Sequence, residues 1–287
     1  MRNSRGYRVA EVLQMVSVKQ HLQVKTRMVL STRTAHSSYL VDRLLSAKDE
    51  NLFNYVKFRL IAKALQEANI ERPRILDLGC ADKIALRYLS NLDVDFQYCG
   101  VDYESPFSPD ILADIRESNQ IISKLPWQPN VIFLLDVLEH LDGLEIDILQ
   151  ILEACCSILP PGGLVVVTIP QMYRLDRFKF KHLHYKEHKI RLRQDEWYNL
   201  LSRELKVHKS HGVGLISVIP YLVMFHRRYE KIPFLMRLFK QLREKTLEQP
   251  FLRVLDWHLS HLLGGLPFFR QWTNDVLFVC EVPHSNS

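Results

Sequence analysis

The sequence predicts a doubly wound α/β domain on a mostly parallel sheet, and three observations lead there. Four short runs rich in β-branched and apolar residues recur along the chain: "RILDLG" at 74, "FQYCGVD" at 96, "NVIFLLD" at 130 and "GLVVVTI" at 163. Amphipathic segments beginning near Lys83 and Gly143 lie between them. The runs are continuously apolar rather than alternating, as strands must be when helices cover both faces of their sheet.

Taken in order, residues 1–50 read as a basic, partly helical extension. Within residues 1–41, Arg2, Arg5, Arg8, Lys19, Lys25, Arg27 and Arg33 face the single acid Glu11. Such an arginine- and serine-containing, acid-poor stretch also fits an organelle transit peptide, although a basic surface helix or loose extension is the commoner outcome. The stretch "NYVKFRLIAKALQEA" repeats apolar residues at three and four and predicts a helix before the first strand. Gly162 and Gly163 follow the second amphipathic segment and fit a helix stop. Beyond the fourth run, "ELKVHKSHGVG" is a plausible strand and "DVLFVCEV" at 275–282 a stronger one. The residues between them read helical, so 51–287 form one domain and 213–270 a helical insert or lid.

Composition narrows the class. Apolar residues make up 47% and charged residues 24%, ordinary proportions for a soluble globular chain. The longest apolar run, "LISVIPYLVMF" at 215–225, is too short to span a bilayer, and the N-terminus has no continuous apolar core of the secretory kind. Five cysteines without a CxxC pair read as free thiols in a reducing compartment, which points to the cytoplasm. The formal charge of +6 gives a mildly basic surface, suited to solubility or to anionic partners.

The stretch "RILDLGCADKIAL" at 74–86 carries the chemistry. It reads as a strand, a turn and a helix, with Gly79 as the turn's one glycine. A NAD-type loop needs G-x-G-x-x-G so that the backbone can approach a pyrophosphate, and the P-loop pattern is absent too. Asp77 and Asp82 would repel phosphate. An acidic strand end suits a ligand with a cationic head.

"ILDLGCADK" resembles the first motif of class I S-adenosylmethionine-dependent methyltransferases, hydrophobic-hydrophobic-Asp-x-Gly-x-Gly-x-Gly. Asp77 and Gly79 match, Ala81 stands at the second glycine position, and Lys83 departs from the third. The resemblance implies a Rossmann-like sheet with an antiparallel last strand, and S-adenosylmethionine as cofactor beside Asp77, Gly79, Cys80 and Ala81. It assigns Asp102, in "CGVDYES", to the ribose hydroxyls, which a carboxylate can accept as a pair. Tyr103 then lies beside the adenine. In "ILADI" it places Asp114 at the adenine amino group with Ile115 alongside. "NVIFLLDVLEHL" resembles the fourth-strand motif of a branch that includes quinone- and lipid-modifying enzymes; Leu135 and Asp136 border the cofactor there, and His140 points to the active-site mouth.

Methyl transfer from a sulfonium is an in-line displacement, in which the protein supplies alignment and excludes water. A general base matters when the acceptor carries a proton. His140 and His184 are the catalytic candidates, with His182, Tyr185 and His188 in the same "FKFKHLHYKEHKIRLRQDEWYNLL" stretch. The spacings of His182, His184 and His188 fit no familiar metal set and no cysteine joins them, so no metal is expected. Trp197 reads as core.

In the insert, Phe234, Leu235, Leu238, Phe239 and Leu242 fall on one helical stripe, with basic residues largely elsewhere. That pattern fits either a lid over an apolar acceptor or peripheral contact with an anionic membrane. A small-molecule or lipid-linked acceptor is therefore expected. DNA is not, and RNA ranks lower because no recognised RNA-binding module is present. A catalytically silent methyltransferase fold, used for binding or assembly, is the alternative that Lys83 raises. A dehydrogenase ranks third, for want of its glycines.

Overall fold

In the computed structural model the apolar runs become the middle of a seven-stranded sheet. The structure describes residues 52–284 apart from 71, 93, 143–144, 172–187 and most of 220–248, where only 234, 238 and 241 are described. The strands are β1 (Arg74–Leu78), β2 (Gln97–Asp102), β3 (Ile111–Leu112), β4 (Val131–Leu135), β5 (Leu164–Pro170), β6 (Lys206–Val213) and β7 (Asp275–Glu281). They lie side by side in the order β3-β2-β1-β4-β5-β7-β6. From β3 to β5 every pairing is parallel, whereas β7 runs antiparallel to both β5 and β6. This is the mostly parallel, doubly wound sheet with a reversed last strand that the sequence predicts. The two-residue β3 is an addition: too short for periodicity to reveal, it forms because Ile111 and Leu112 pair with Val101 and Asp102.

The order reverses between β1 and β4. From β1 the chain crosses outward to β2 and β3, then returns across β1 to β4 and continues the other way. Connections leave the carboxyl ends of β1 and β4 in opposite directions, and such a switch point opens a crevice between the two loops.

Period-two alternation sends the side chains of each strand to opposite faces. Leu76, Leu78, Ile132, Leu134, Val165, Val167 and Phe278 face one layer, where they meet α3 (Ser118–Lys124), α4 (Glu145–Ile158) and α5 (Gln194–Leu201) through Ile121, Ile151, Leu152 and Trp197. Trp197 is core, as expected. Ile75, Val131, Phe133, Leu164, Val166 and Leu277 face the other layer, against α1 (Leu52–Glu67) and α2 (Ile84–Ser90). Phe133 is fully buried at the centre, and removing its ring would cost about 3–5 kcal/mol.

The expected strand at "ELKVHKSHGVG" is β6, and the chain returns to the sheet through α6 (Pro250–Leu263) and α7 (Pro267–Arg270). α6 is locked to the end of β6 by buried polar groups. Asp256 accepts the backbone N–H of Ile216 at 2.8 Å and of Ser217 at 3.1 Å, and His211 Nε2 donates to the Ser260 carbonyl at 2.8 Å. Most of the insert's apolar stripe, including Leu235, Phe239 and Leu242, lies outside the described residues, as do residues 1–51. Phe234 and Leu238 are exposed. Among the described residues no helix is long and apolar enough to cross a membrane.

Burial lowers the His211 imidazole to about 4, against the hydrogen bond to Ser260. The folded chain therefore resists a proton that the unfolded chain accepts near pH 6.5. The stability that His211 contributes is complete above that pH and declines as pH falls toward 4. Replacing it with Gln should flatten this part of the pH–stability curve by up to about 3 kcal/mol, measured by urea denaturation between about pH 7 and pH 4.

Candidate active site

Parallel strands end together, so the loops after β1, β2, β3 and β4 converge on one edge of the sheet. The β1 loop turns at once into α2, and three of its residues carry left-handed backbone: Gly79 (φ 79°), Ala81 (φ 43°) and Lys83 (φ 55°). These are the three positions that the motif writes as glycine. Glycine adopts this conformation without strain, whereas Ala81 and Lys83 each pay about 1 kcal/mol or more in backbone strain. At Gly79 a side chain is also excluded sterically, because a Cβ would lie 2.6 Å from Val137 Cγ2 in the β4 loop. The two loops touch here across the switch point.

Lys83 does not fill the turn with its side chain. Its ammonium reaches Asp110 Oδ1 at 2.5 Å, and the other oxygen of Asp110 accepts the Gly100 N–H at 2.7 Å. The lysine thus fastens the loop to the segment between β2 and β3.

The acids at the strand ends are held differently from one another. Asp77, at the end of β1, is buried and accepts the Tyr98 hydroxyl at 2.6 Å. Burial pushes its carboxyl up to about 7, and neighbouring Asp102 and Asp82 add to the rise while Tyr98 and Lys57 oppose it. Asp102, at the end of β2, accepts Ala81 N–H on Oδ2 at 2.8 Å and Glu104 N–H on Oδ1 at 2.9 Å. Tyr103 is 61% exposed beside it, a free aromatic face. Cys80 and Ile115 are buried walls, and burial pushes the Cys80 thiol far above its ordinary range.

Asp114 is placed less simply. Arg116 grips both of its oxygens, at 2.9 and 2.6 Å, and holds the carboxyl below its usual range. An adenine amino group would share it with that guanidinium.

At the end of β4, Leu135 is half-buried and Asp136 takes a left-handed backbone. Asp136 accepts Thr168 Oγ1 at 2.7 Å and pairs with Lys57 Nζ at 2.6 Å. Lys57 is a buried lysine of α1, and its ammonium is accommodated there by Asp136, by the faces of Phe53 and Phe58 and by the neighbouring acids. The buried carboxyls of Glu139 and Asp275 share this neighbourhood, and burial first, then the charge of Asp136, raises both well above the carboxylate range. His140 follows on a 3₁₀ turn (Leu138–His140), half-buried, its ring edge-on to His188 with centroids 4.9 Å apart. His182, His184 and Tyr185 lie outside the described residues.

The strand ends thus bring together Asp77, Gly79, Cys80, Ala81, Asp102, Leu135, Asp136 and His140, with Tyr103, Asp114 and Ile115 along the β2 and β3 side. Lys57, Tyr98, Thr168, Glu139 and Asp275 were missed by motif reading. Lysine and buried acid in otherwise apolar runs were the available signal.

Two outcomes test this geometry. Gly79→Ala should lose about 2–4 kcal/mol in chemical denaturation, with Val137→Ala restoring only the steric part, because the positive φ stays. Lys57→Met should lose about 2–3 kcal/mol by taking the cation from Asp136, and adding Asp136→Asn should recover a good share of it.

A family model described as "Methyltransferase domain" matches residues 48–206, more than half of the chain. No curated protein sequence matches it. Among solved structures, the plantazolicin methyltransferase BamL, in complex with a triazolic desmethylPZN analogue and SAH, is 10% identical. Its match covers 94% of this chain and 99% of that one, with a TM-score of 0.51. A S-adenosylmethionine-dependent methyltransferase from Clostridium acetobutylicum is 11% identical over 86% and 98%, with a TM-score of 0.51. A complex between the Trm112 methyltransferase activator of Haloferax volcanii and a methyltransferase gives 14%, 88% and 100%, with a TM-score of 0.50. At such identities the likeness is one of fold. With the family match spanning α1 to the first residue of β6, the chain belongs to the methyltransferase domain family, as a class I S-adenosylmethionine-dependent methyltransferase.

Proposed function

We propose that this enzyme moves the methyl group of S-adenosylmethionine to an O–H or N–H group of a small-molecule or lipid-linked acceptor, the proton leaving as the new bond forms. The observation that carries the cofactor side is the set of acids at the switch point. Burial and the neighbouring Asp102 and Asp82 raise the cost of ionising Asp77, and a bound ammonium and sulfonium would relieve it. The residues suit the cofactor in kind: a phosphate-free, cationic ligand meets carboxylates beside a tight left-handed loop. Bound, S-adenosylmethionine supplies an electrophilic methyl with a neutral thioether as leaving group. The protein's share is orientation and exclusion of water.

In this reading Asp102 receives the ribose hydroxyls, Tyr103 covers the adenine, and Gly79, Cys80 and Ala81 pass close to the amino-acid part. Leu135 and Asp136 border the methyl side, and His140 stands at the mouth, where the acceptor enters. Residues 213–270, inserted between the last two strands, contribute the acceptor's apolar surroundings. The silent-fold alternative rests on Lys83. Its αL backbone and its bond to Asp110 favour an open, functional loop instead.

Calorimetric binding tests the reading. S-adenosylmethionine and S-adenosylhomocysteine should bind at micromolar levels, and Asp102→Asn should weaken both at least about tenfold, or about 1.4 kcal/mol. A native protein that ignores both ligands would leave the silent fold in possession. The pH dependence follows from Asp77. A cation lowers its raised carboxyl pKa, so binding expels a proton and affinity should climb several-fold from about pH 6 to about pH 7.5. Asp77→Asn should remove that climb.

A further inference from the structure

Glu139, His140 and His188 come together from two segments that the sequence separates by almost fifty residues. Their candidate ligand atoms all lie within 4.8 Å of one another. The assembly is built by the backbone: Glu139 carbonyl accepts Lys189 N–H at 2.7 Å and Ile190 N–H at 3.0 Å, which ties the His188 strand of chain to the β4 loop. His140 Nε2 lies 3.7 Å from Glu139 Oε1, and the two imidazoles meet edge to face.

The second observation concerns Glu139 alone. Its side chain is 2% exposed, and neither carboxyl oxygen has a hydrogen-bond partner among the described residues. Protonation does not resolve this, because a carboxylic acid still needs an acceptor for its O–H. Lys57 does not resolve it either: its ammonium bonds Asp136 at 2.6 Å and makes no hydrogen bond to Glu139. A buried carboxyl with both oxygens unserved costs several kcal/mol, and such a group calls for a partner that the described residues do not supply.

We propose that Glu139, His140 and His188 bind one divalent transition-metal ion at the acceptor side of the cofactor crevice. Two imidazoles and one carboxylate form a mixed nitrogen and oxygen set, suited to Zn²⁺, Mn²⁺ or Fe²⁺ rather than to the all-oxygen preference of Ca²⁺. Ligands about 2.0–2.2 Å from such an ion sit about 3.0–3.5 Å apart, so closure needs side-chain movements of about an ångström. The half-buried imidazoles leave a route from solvent, and three protein ligands leave coordination positions open. Val137, two residues before Glu139, touches the loop at Gly79, which sets this cluster at the same sheet edge as the cofactor acids.

The ion gives the acceptor site a chemical class, and this part rests on the methyl-transfer reading above. An acceptor hydroxyl bound at an open position is acidified by the ion and releases its proton to water. The resulting oxygen attacks the methyl carbon as the carbon–sulfur bond breaks, leaving S-adenosylhomocysteine and the methyl ether. His140 then acts as a ligand and not as a base. The spacing of His182, His184 and His188 concealed this, because the partners of His188 lie in the "LEH" turn.

The test uses the full chain, stripped with chelator and re-equilibrated separately with Mn²⁺ and Zn²⁺. Metal content after gel filtration, and the Mn²⁺ resonance spectrum, should report about one ion per chain. Glu139→Gln and His188→Ala should each weaken uptake at least tenfold while S-adenosylhomocysteine binding stays within about twofold of the native value. Melting curves check that each variant folds, and His188→Ala, on the half-buried side, does not depend on tolerance at the buried Glu139. A native chain that retains neither ion, or a folded His188→Ala that retains them fully, overturns the site. Uptake of the ion without any binding of S-adenosylhomocysteine would overturn the methyl-transfer reading and leave the metal site standing.

Discussion

Where parallel strands end, their backbone loses the neighbouring strand as a hydrogen-bond partner, and side chains must take over. In this protein the Asp102 carboxylate does so for two loops at once. It holds the N–H of Ala81 after β1 and that of Glu104 after β2, so one side chain sets the separation of both strand ends. The left-handed residues that follow Gly79 persist because the turn is fixed along its length, by the Val101 carbonyl at Gly79 and Cys80, by Asp102 at Ala81 and by Asp110 at Lys83. Geometry at this edge is therefore determined before any ligand arrives. That preorganisation is what an aligned displacement reaction requires.

The same edge concentrates negative charge in a way that a stable core would avoid. Asp77, Glu139 and Asp275 are each buried, and each is raised in pKa chiefly by that burial. Among the described residues one buried lysine, Lys57, pairs with Asp136. Buried acids of this density are destabilising unless a cation compensates them. The sheet tolerates them because its two apolar layers lie toward the middle of the strands, while the acids gather where strands stop. Stability and function are thus separated along the strand axis, and the crevice keeps an electrostatic demand that cations can meet.

The motif glycines show how a sequence pattern and a backbone constraint coincide without being identical. Gly79 is required twice over, by φ and by the contact with Val137. Ala81 and Lys83 face the φ requirement alone, so a β-carbon is strained there but not blocked. A pattern match counts both departures alike, while the structure separates a position that excludes a side chain from positions that merely disfavour one.

The sequence by itself determined the sheet apart from its two-residue β3, the two layers that cover it, and the strand edge at which the motif residues gather. Continuous apolar runs, amphipathic spacing and Asp77–Gly79 are local properties, written within a few residues of where they act. What only the tertiary structure decided are the partnerships across long separations. Lys57 finds Asp136 from another element, Arg116 occupies Asp114, and His188 comes to Glu139 and His140 through backbone hydrogen bonds that no spacing rule anticipates. The physical reason is that periodicity reports which face a residue turns to the core, whereas the charge or ligand it meets there depends on how the elements cross.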